Sequence, residues 1–241
     1  MESLRRRLTP DLFRLALRGD RQEPEGLSFG LDRTTAHREL RILEDGLTIE
    51  RGDRQEDTDT IKKVADRTRG RFMDGRNFAG NPAVLGDVAL SRGSHYWEVD
   101  VSFSSSYRVG LALKNTPRDL FVGSNPLSWC LDRTIEEYSV RHDRIKDKIR
   151  LLGHLERVGV YVDCDSGRLA FFDAEKKSLI HEITVDRAEP LYPAFALWNG
   201  FISVQTGFTV PEYISKAFSK REGGGMNNIV QSLNIKRLRF M

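Results

Sequence analysis

The sequence predicts an all-β fold, an antiparallel β-sandwich, and three features indicate it. Many short segments alternate apolar and polar residues with a period of two, the pattern of strands that bury one face. Residues typical of turns separate these segments at short intervals. Only one stretch, near the N-terminus, has the start and stop signals of a helix. Many short strands with regular turns are typical of two packed antiparallel sheets.

The N-terminal segment is predicted to contain one short helix. Thr9 suits the N-cap, Pro10 the first helical position and Asp11 the positive end of the helix dipole. The helix is predicted to run to Arg18, with Gly19 as its stop. We expect it to dock on the sandwich. A mitochondrial presequence is the alternative, since such peptides are amphipathic and Arg-rich, although the acidic residues around it count against this interpretation.

From Leu40 onward the chain is predicted to be β. Leu40 to Ile49 reads as a hairpin around Asp45-Gly46, and residues 53–70, dense in charge, read as an exposed loop. In the strand at 95–102 Trp97 belongs to the apolar face and is predicted to lie in the core, as is Trp129. The further strands are predicted near residues 83–90, 107–113, 129 onward, 138–141, 158–162, 169–171, 178–185, 192–198 and 201–206.

Four stretches, in the expected order, resemble the PRY-SPRY domain, a recognition module. They are Leu31–His37 with Asp45-Gly46, Arg71-Phe72 with Asn81–Gly86, the Gly93–Val99 segment GSHYWEV, and Val158–Asp173 (VGVYVDCDSGRLAFFD). The resemblance covers about residues 27–213. It divides the chain into an N-terminal helix and linker (1–26), the domain (27–213) and a flexible basic tail (214–241). Arg33 stands where a proline is common, and Cys164 stands where an aromatic residue is usual.

This resemblance implies a bent antiparallel sandwich whose variable loops at one face bind a partner protein or peptide. By motif order those loops lie at about residues 53–70, 102–106, 114–128, 132–150 and 198–201. Within them we expect Arg133 and Arg141 to act as charged clamps, Trp198 and Phe201 as aromatic anchors, and Tyr138 as an amphipathic contact. Asn199-Gly200 predicts a tight turn between the two anchors, and in the competing interpretation both rings fold into the core.

The basic stretch 141–150 interleaves cations with two aspartates. It reads as a solvated loop between strands, and its functional alternative is a rim that steers an acidic peptide or an RNA backbone. An RNA-binding module using this stretch is therefore the second functional hypothesis.

Little in the sequence points to catalysis or to a bound metal. The segment Asp163–Gly167 lacks the ligand spacing of a calcium loop and is better explained as a hairpin turn. The five histidines have no metal-site spacing to Cys130 or Cys164, and we find neither a phosphate-binding glycine loop nor a nucleophile elbow. We expect a protein that is not an enzyme and that uses no cofactor and no metal.

The formal net charge of +3 is concentrated at the two ends. Residues 1–21 hold six arginines against three acidic residues, and residues 216–241 hold six basic residues against one acidic residue. The body, residues 22–215, therefore carries −5, a poor electrostatic footprint for nucleic acid. Two cysteines, no secretory signal and no apolar run long enough to span a bilayer favour a cytoplasmic protein without membrane insertion, with the mitochondrion as the alternative.

Overall fold

The computed structural model describes residues 26–52, 76–151, 153–185 and 189–222. The predicted helix at 9–18 and loop at 53–70 lie outside these ranges. In chain order the strands are β1 (Leu40–Ile42), β2 (Thr48–Arg51), β3 (Ala83–Leu85), β4 (Ser94–Asp100), β5 (Tyr107–Leu113), β6 (Ser128–Arg133), β7 (Tyr138–His142), β8 (Ile145–Ile149), β9 (Arg157–Asp163), β10 (Arg168–Asp173), β11 (Ser178–Thr184), β12 (Leu191–Leu197) and β13 (Phe201–Gln205), followed by one helix, α1 (Glu212–Glu222).

The strands form two antiparallel sheets, which confirms the predicted sandwich. One sheet has seven strands in the order β1-β2-β13-β4-β9-β10-β11, and the other has six in the order β3-β12-β5-β6-β7-β8. Every strand pairing between neighbours in these sheets is antiparallel. The predicted strands are confirmed in position, except that the strand predicted near 83–90 is limited to Ala83–Leu85. Strand β8 is an addition.

The main core fills the space between the two sheets. In β4 the inward-facing Trp97 and Val99 are fully buried, whereas Glu98 between them points outward, as the alternation predicts. Phe29 meets the Trp97 ring edge-on at 5.6 Å. Trp129 lies in the same core at 2% exposure, so both tryptophans predicted for the interior are confirmed there.

Two turns follow from aspartate side chains that hold the backbone. Asp45 Oδ1 accepts hydrogen bonds from the amides of Leu47 and Thr48 in the β1–β2 hairpin, beside Gly46 at φ 69°. In the same way Asp163 Oδ1 accepts from the amides of Asp165 and Ser166 between β9 and β10. The hairpin interpretation of both segments is confirmed, because these carboxylates cap the turns.

The structure corrects the prediction for residues 141–150. This stretch is a β-hairpin, in which β7 turns through Asp143 (φ 52°) into β8 at the edge of the six-stranded sheet. Much of the loop predicted at 132–150 is therefore strand, joined by a short turn at 134–137. The density of charge hid the alternation, since β8 places Ile145 and Ile149 on one face and Lys146 and Lys148 on the other.

The domain also continues beyond residue 213, where a flexible tail was expected. Helix α1 covers the outer face of the seven-stranded sheet, with Ile214 only 1% exposed among aromatic residues of β4, β9 and β10. The Tyr96 hydroxyl donates to Glu98 Oε1 and lies 2.7 Å from the Tyr213 hydroxyl. The first half of α1 is thus part of the packed domain. Within the described ranges no helix is both long and apolar enough to cross a membrane.

We expect Trp97→Ala to lower the free energy of unfolding by about 3–5 kcal/mol, because a large ring leaves a cavity in a closed core. Urea denaturation of the wild type and the variant measures the difference. A loss below about 1 kcal/mol would contradict the packing of β4.

Ile214→Ala should lower the free energy of unfolding by about 2–4 kcal/mol, because the side chain is buried between α1 and the sheet. Lys216→Ala is the matched control on the exposed side of the same helix, where it removes only an ion pair with Glu212 and should cost about 0.5 kcal/mol. Equal effects of the two substitutions would mean that α1 does not dock in solution.

Candidate functional site

Several connections emerge together at one end of the six-stranded sheet. The strand registers align one row of residues across it: Leu197, Tyr107, Arg133, Tyr138 and Ile149. Because β12 and β6 end at this row while β5 and β7 begin there, the segments 101–106, 134–137 and 198–200 all leave the sheet at the same end. Two of the loops predicted from the family resemblance, 102–106 and 198–201, are among them.

The turn at Asn199-Gly200 carries the chain from one sheet to the other. Asn199 Oδ1 accepts from the Ser105 amide at 3.0 Å, and its Nδ2 donates to Ser105 Oγ at 2.8 Å. Gly200 has φ 66°, and a Cβ there would lie 1.9 Å from the carbonyl oxygen of Phe103, so only glycine fits. Trp198 and Phe201 consequently leave the turn on different sheets.

The connection between β5 and β6, residues 114–127, folds back across the outer face of the six-stranded sheet. Asn81 Nδ2 donates to the Leu120 carbonyl and Arg108 Nη1 donates to the Val122 carbonyl, both at 2.6 Å. Gly123 (φ 80°) lies so close to the sheet that a Cβ would come within 2.4 Å of the Cys130 sulfur. This connection is therefore a fixed layer on the sheet.

Two large apolar side chains on this fixed layer face solvent. Leu120 is 44% exposed and Phe121 is 42% exposed, and the Phe121 ring stacks with Trp198 at 6.0 Å between centroids. Trp198 is half-buried beside them. We call Leu120, Phe121 and Trp198 the apolar shelf.

Beneath the shelf lies a buried arginine. Arg108, on β5, is 8% exposed, and its guanidinium carbon is 5.3 Å from the ring centroids of both Phe121 and Trp198. Its Nε donates to Asp132 Oδ1 at 2.8 Å, and Asp132 also accepts from Arg141 Nε. The buried carboxylate of Asp132 thus pairs with two guanidinium groups. That of Arg108 also contacts both rings of the shelf through cation–π interactions.

Arg108, Asp132 and Phe121 are not among the site residues predicted from the sequence. The signal for Arg108 was present, since a charged residue interrupts the otherwise apolar segment YRVGLAL, and all seven of its residues are buried. A buried arginine requires a buried anion, which directs attention to Asp132 on the next strand. No local pattern marks Phe121, because its place depends on how the connection folds back.

Trp198 and Arg141 are brought together on the outer face of the six-stranded sheet, but Arg133 and Tyr138 are not with them. Arg133 stacks at 4.4 Å on the ring of Tyr138, on the inner face of the sheet. Tyr138 is 4% exposed, and its hydroxyl accepts from the Leu155 amide at 3.0 Å. The expectation of an accessible Tyr138 is therefore corrected, because the ring closes the end of the core.

The expectation that Phe201 is an exposed anchor is corrected as well. Its ring is 9% exposed and stacks on Phe103 at 4.6 Å, with the planes 13° apart. Of the two rings that flank Asn199-Gly200, Trp198 alone belongs to the accessible surface. The interpretation that both rings fold inward holds for Phe201 only.

The described residues contain no group of three or more His, Cys, Asp or Glu side chains that could hold a metal ion. Burial raises the pKa of the Cys130 thiol to about 12 and that of the Cys164 thiol to about 11. Both thiols therefore remain protonated near neutral pH and act as packing groups.

Comparison with known proteins shows the family to which this fold belongs. The model of the SPRY domain matches residues 94–208. SPRY domain-containing protein 4 of Mus musculus is 31% identical over 187 residues, covering 78% of this chain and 86% of that protein. The chain belongs to the SPRY domain family. The resemblance given by the four sequence motifs is thereby confirmed.

A second relative is much longer than this chain. The probable E3 ubiquitin-protein ligase MID2 of Homo sapiens is 31% identical over 186 residues, covering 77% of this chain and 24% of that protein. The chain thus spans about a quarter of the length of this curated relative. The crystal structure of the TRIM65 PSpry domain has a TM-score of 0.60 at 18% identity, covering 82% of this chain and 98% of that one, and supports the PRY-SPRY fold.

We expect Asp132→Asn to destabilise the domain by about 3–5 kcal/mol, because it leaves two arginines, one of them buried, without their counter-charge. Glu137→Gln is the matched control: Glu137 also serves two cations, Lys146 and Lys148, but at the surface. Thermal and urea unfolding should show a large loss for Asp132→Asn and little change for Glu137→Gln. The reverse order would contradict the buried network.

Proposed function

We propose that this SPRY domain is a non-enzymatic recognition module that binds a partner protein or peptide through the apolar shelf and the loops beside it. SPRY domains are in general protein-interaction modules, and the proposal assigns that role to a particular surface of this chain. The observation that carries it is the exposure of Leu120 and Phe121 on a backbone that side chains of the domain hold in place.

The backbone that carries these exposed side chains is held in place by hydrogen bonds. The carbonyls of three consecutive residues, 120 to 122, accept hydrogen bonds from Asn81, Asn125 and Arg108. Binding of a partner to the shelf therefore immobilises few additional groups of the domain. The apolar area that it buries contributes to affinity with a small entropic cost. Aromatic rings beside an arginine, on a preorganised surface, have the composition of an energetic hot spot.

The RNA hypothesis has less support from the geometry. On the outer face of the β7–β8 hairpin, Arg141 is paired with Asp132, and Lys146 and Lys148 are both paired with Glu137. The interleaved carboxylates interrupt the continuous positive surface that a phosphate backbone requires. The net negative charge of residues 22–215 also disfavours RNA binding.

The relative MID2 informs the proposed role of this chain only through the part that matches. MID2 is named a probable ubiquitin ligase, and this chain corresponds to about a quarter of it. We propose that the matching part binds and does not catalyse. The free, buried thiols of Cys130 and Cys164 support our further proposal that the protein works in the reducing cytoplasm.

The test is affinity purification from a cell lysate with matched variants. Trp198→Ala and Phe121→Ala should lose partners that the wild type retains, and the affinity for a retained partner should fall at least about thirtyfold, or about 2 kcal/mol. Phe208→Ala is the control, since this ring is also exposed (37%) but contacts Tyr96, beside the seven-stranded sheet.

Thermal unfolding of the same variants completes the experiment. Phe201→Ala should lower the melting temperature, because its ring is buried against Phe103, whereas Phe121→Ala should leave it nearly unchanged. If stable Phe121→Ala and Trp198→Ala proteins bind every partner as the wild type does, the shelf is not the binding site.

A further inference from the structure

The surface beside the apolar shelf carries more cations than anions. Arg108 and Arg141 share the carboxylate of Asp132, and Lys146 and Lys148 share that of Glu137. Arg108 lies buried beneath the shelf, and we call the three cations nearer the surface, Arg141, Lys146 and Lys148, the cationic strip. Each pair of cations leaves one positive charge without its own counter-charge.

The strip lies on the same outer face of the sheet as the shelf. Arg141 on β7 lies opposite Lys146 on β8, and Ser139 lies opposite Lys148, all on the outer face of the sheet. The backbone that carries Phe121 continues to Gly123, where a Cβ would lie 3.0 Å from the Cβ of Arg141. Arg141 therefore adjoins the connection that carries the apolar shelf.

Arg141 has unused hydrogen-bond donors. Only its Nε is used by Asp132, and neither terminal nitrogen makes a hydrogen bond within the described part of the chain. Its side chain is 23% exposed, so the guanidinium is partly desolvated yet reachable. A planar guanidinium with two free amino groups is matched by a carboxylate, which it can bind through two parallel hydrogen bonds.

Other charges nearby reduce the excess without removing it. The exposed Glu136, on the 134–137 turn, offsets one positive charge, and Asp143 and Arg144 at the hairpin turn offset each other. Hydrogen bonds from Lys146 and Lys148 lower the pKa of Glu137 to about 2, so this carboxylate stays ionised and keeps its share of both lysines near neutral pH. The remaining positive charge lies nearest to Arg141, whose only counter-charge is shared.

We propose that the partner segment carries an aspartate or glutamate beside its apolar anchor, and that the terminal nitrogens of Arg141 bind this carboxylate. The proposal rests on the proposed function, since it requires the segment to lie on the apolar shelf. It gives Arg141 a specificity role distinct from that of Arg108, which holds Phe121 and Trp198 in place.

The experiment uses a phage-displayed library of random dodecapeptides selected on the full chain. We expect the selected peptides to combine a large apolar residue with an adjacent Asp or Glu, and to be lost with Phe121→Ala and Trp198→Ala. A synthetic peptide of the selected consensus is then compared with its acid-to-amide counterpart, Glu→Gln or Asp→Asn, by fluorescence anisotropy against wild type and Arg141→Gln. Arg92→Gln is the control, because it removes the same charge from an exposed site at the seven-stranded sheet.

The expected result is a coupling between the two charges. The amide peptide should bind the wild type about tenfold more weakly, the equivalent of about 1.4 kcal/mol, and should bind Arg141→Gln with less than about a twofold difference from the acidic peptide. Arg92→Gln should keep the full tenfold difference. The comparison on the wild type alone does not depend on whether the Arg141 variant folds.

The outcomes separate the two proposals. Shelf-dependent peptides without acidic enrichment, or equal binding of the acid and amide peptides, would overturn the role of Arg141 and leave the proposed function standing. Peptides that bind Phe121→Ala and Trp198→Ala as well as the wild type would overturn the proposed function itself. Tight, salt-sensitive binding of a fluorescein-labelled oligouridylate to the cationic strip would also overturn the carboxylate assignment, because the strip would then serve a phosphate backbone.

Discussion

The candidate surface depends on one ion pair, between Arg108 and Asp132 on adjacent central strands. Both side chains are almost fully buried, which is costly for charged groups unless their hydrogen bonds are satisfied. Arg108 meets that requirement by donating to Asp132 and to the Val122 carbonyl, and this second bond ties the 114–127 connection to the sheet. The position of the shelf is therefore a consequence of how one buried charge is neutralised.

Each sheet of the sandwich has its outer face partly covered, by different means. The 114–127 connection lies over small residues of the six-stranded sheet, and its own turns expose Leu120 and Phe121. Helix α1 lies over aromatic residues of the seven-stranded sheet and buries Ile214 against Tyr96 and Phe172. A connection without helical hydrogen bonds must find other partners for its carbonyls. Here Asn81, Asn125 and Arg108 supply them, and these bonds hold the candidate surface in place.

Under the proposed function, stability and recognition use different charged groups. Asp132 is buried and pairs with two arginines, so its loss is expected to lower the free energy of unfolding of the domain. Glu137 holds Lys146 and Lys148 at the surface, where water weakens the same arrangement. Arg141 belongs to the buried network through its Nε and lies opposite Lys146 of the surface network, while its terminal nitrogens make no hydrogen bond within the described part of the chain.

The sequence by itself determined the sandwich, most of its strands and the burial of Trp97 and Trp129, because alternation and turn residues can be read from local residue order. It also proposed Trp198 and Arg141 as contact residues, and their binding role stays a prediction. It did not determine that Phe201 and Tyr138 turn inward, that residues 145–149 form a strand, or that α1 docks. Those outcomes were decided by the tertiary structure: Asn199-Gly200 joins different sheets, the β7–β8 register sorts the isoleucines from the lysines, and Arg108 finds Asp132 only once β5 and β6 pair. Contacts between distant segments have no signature in local residue order, so the place of Phe121 on the surface could be found only in the folded protein.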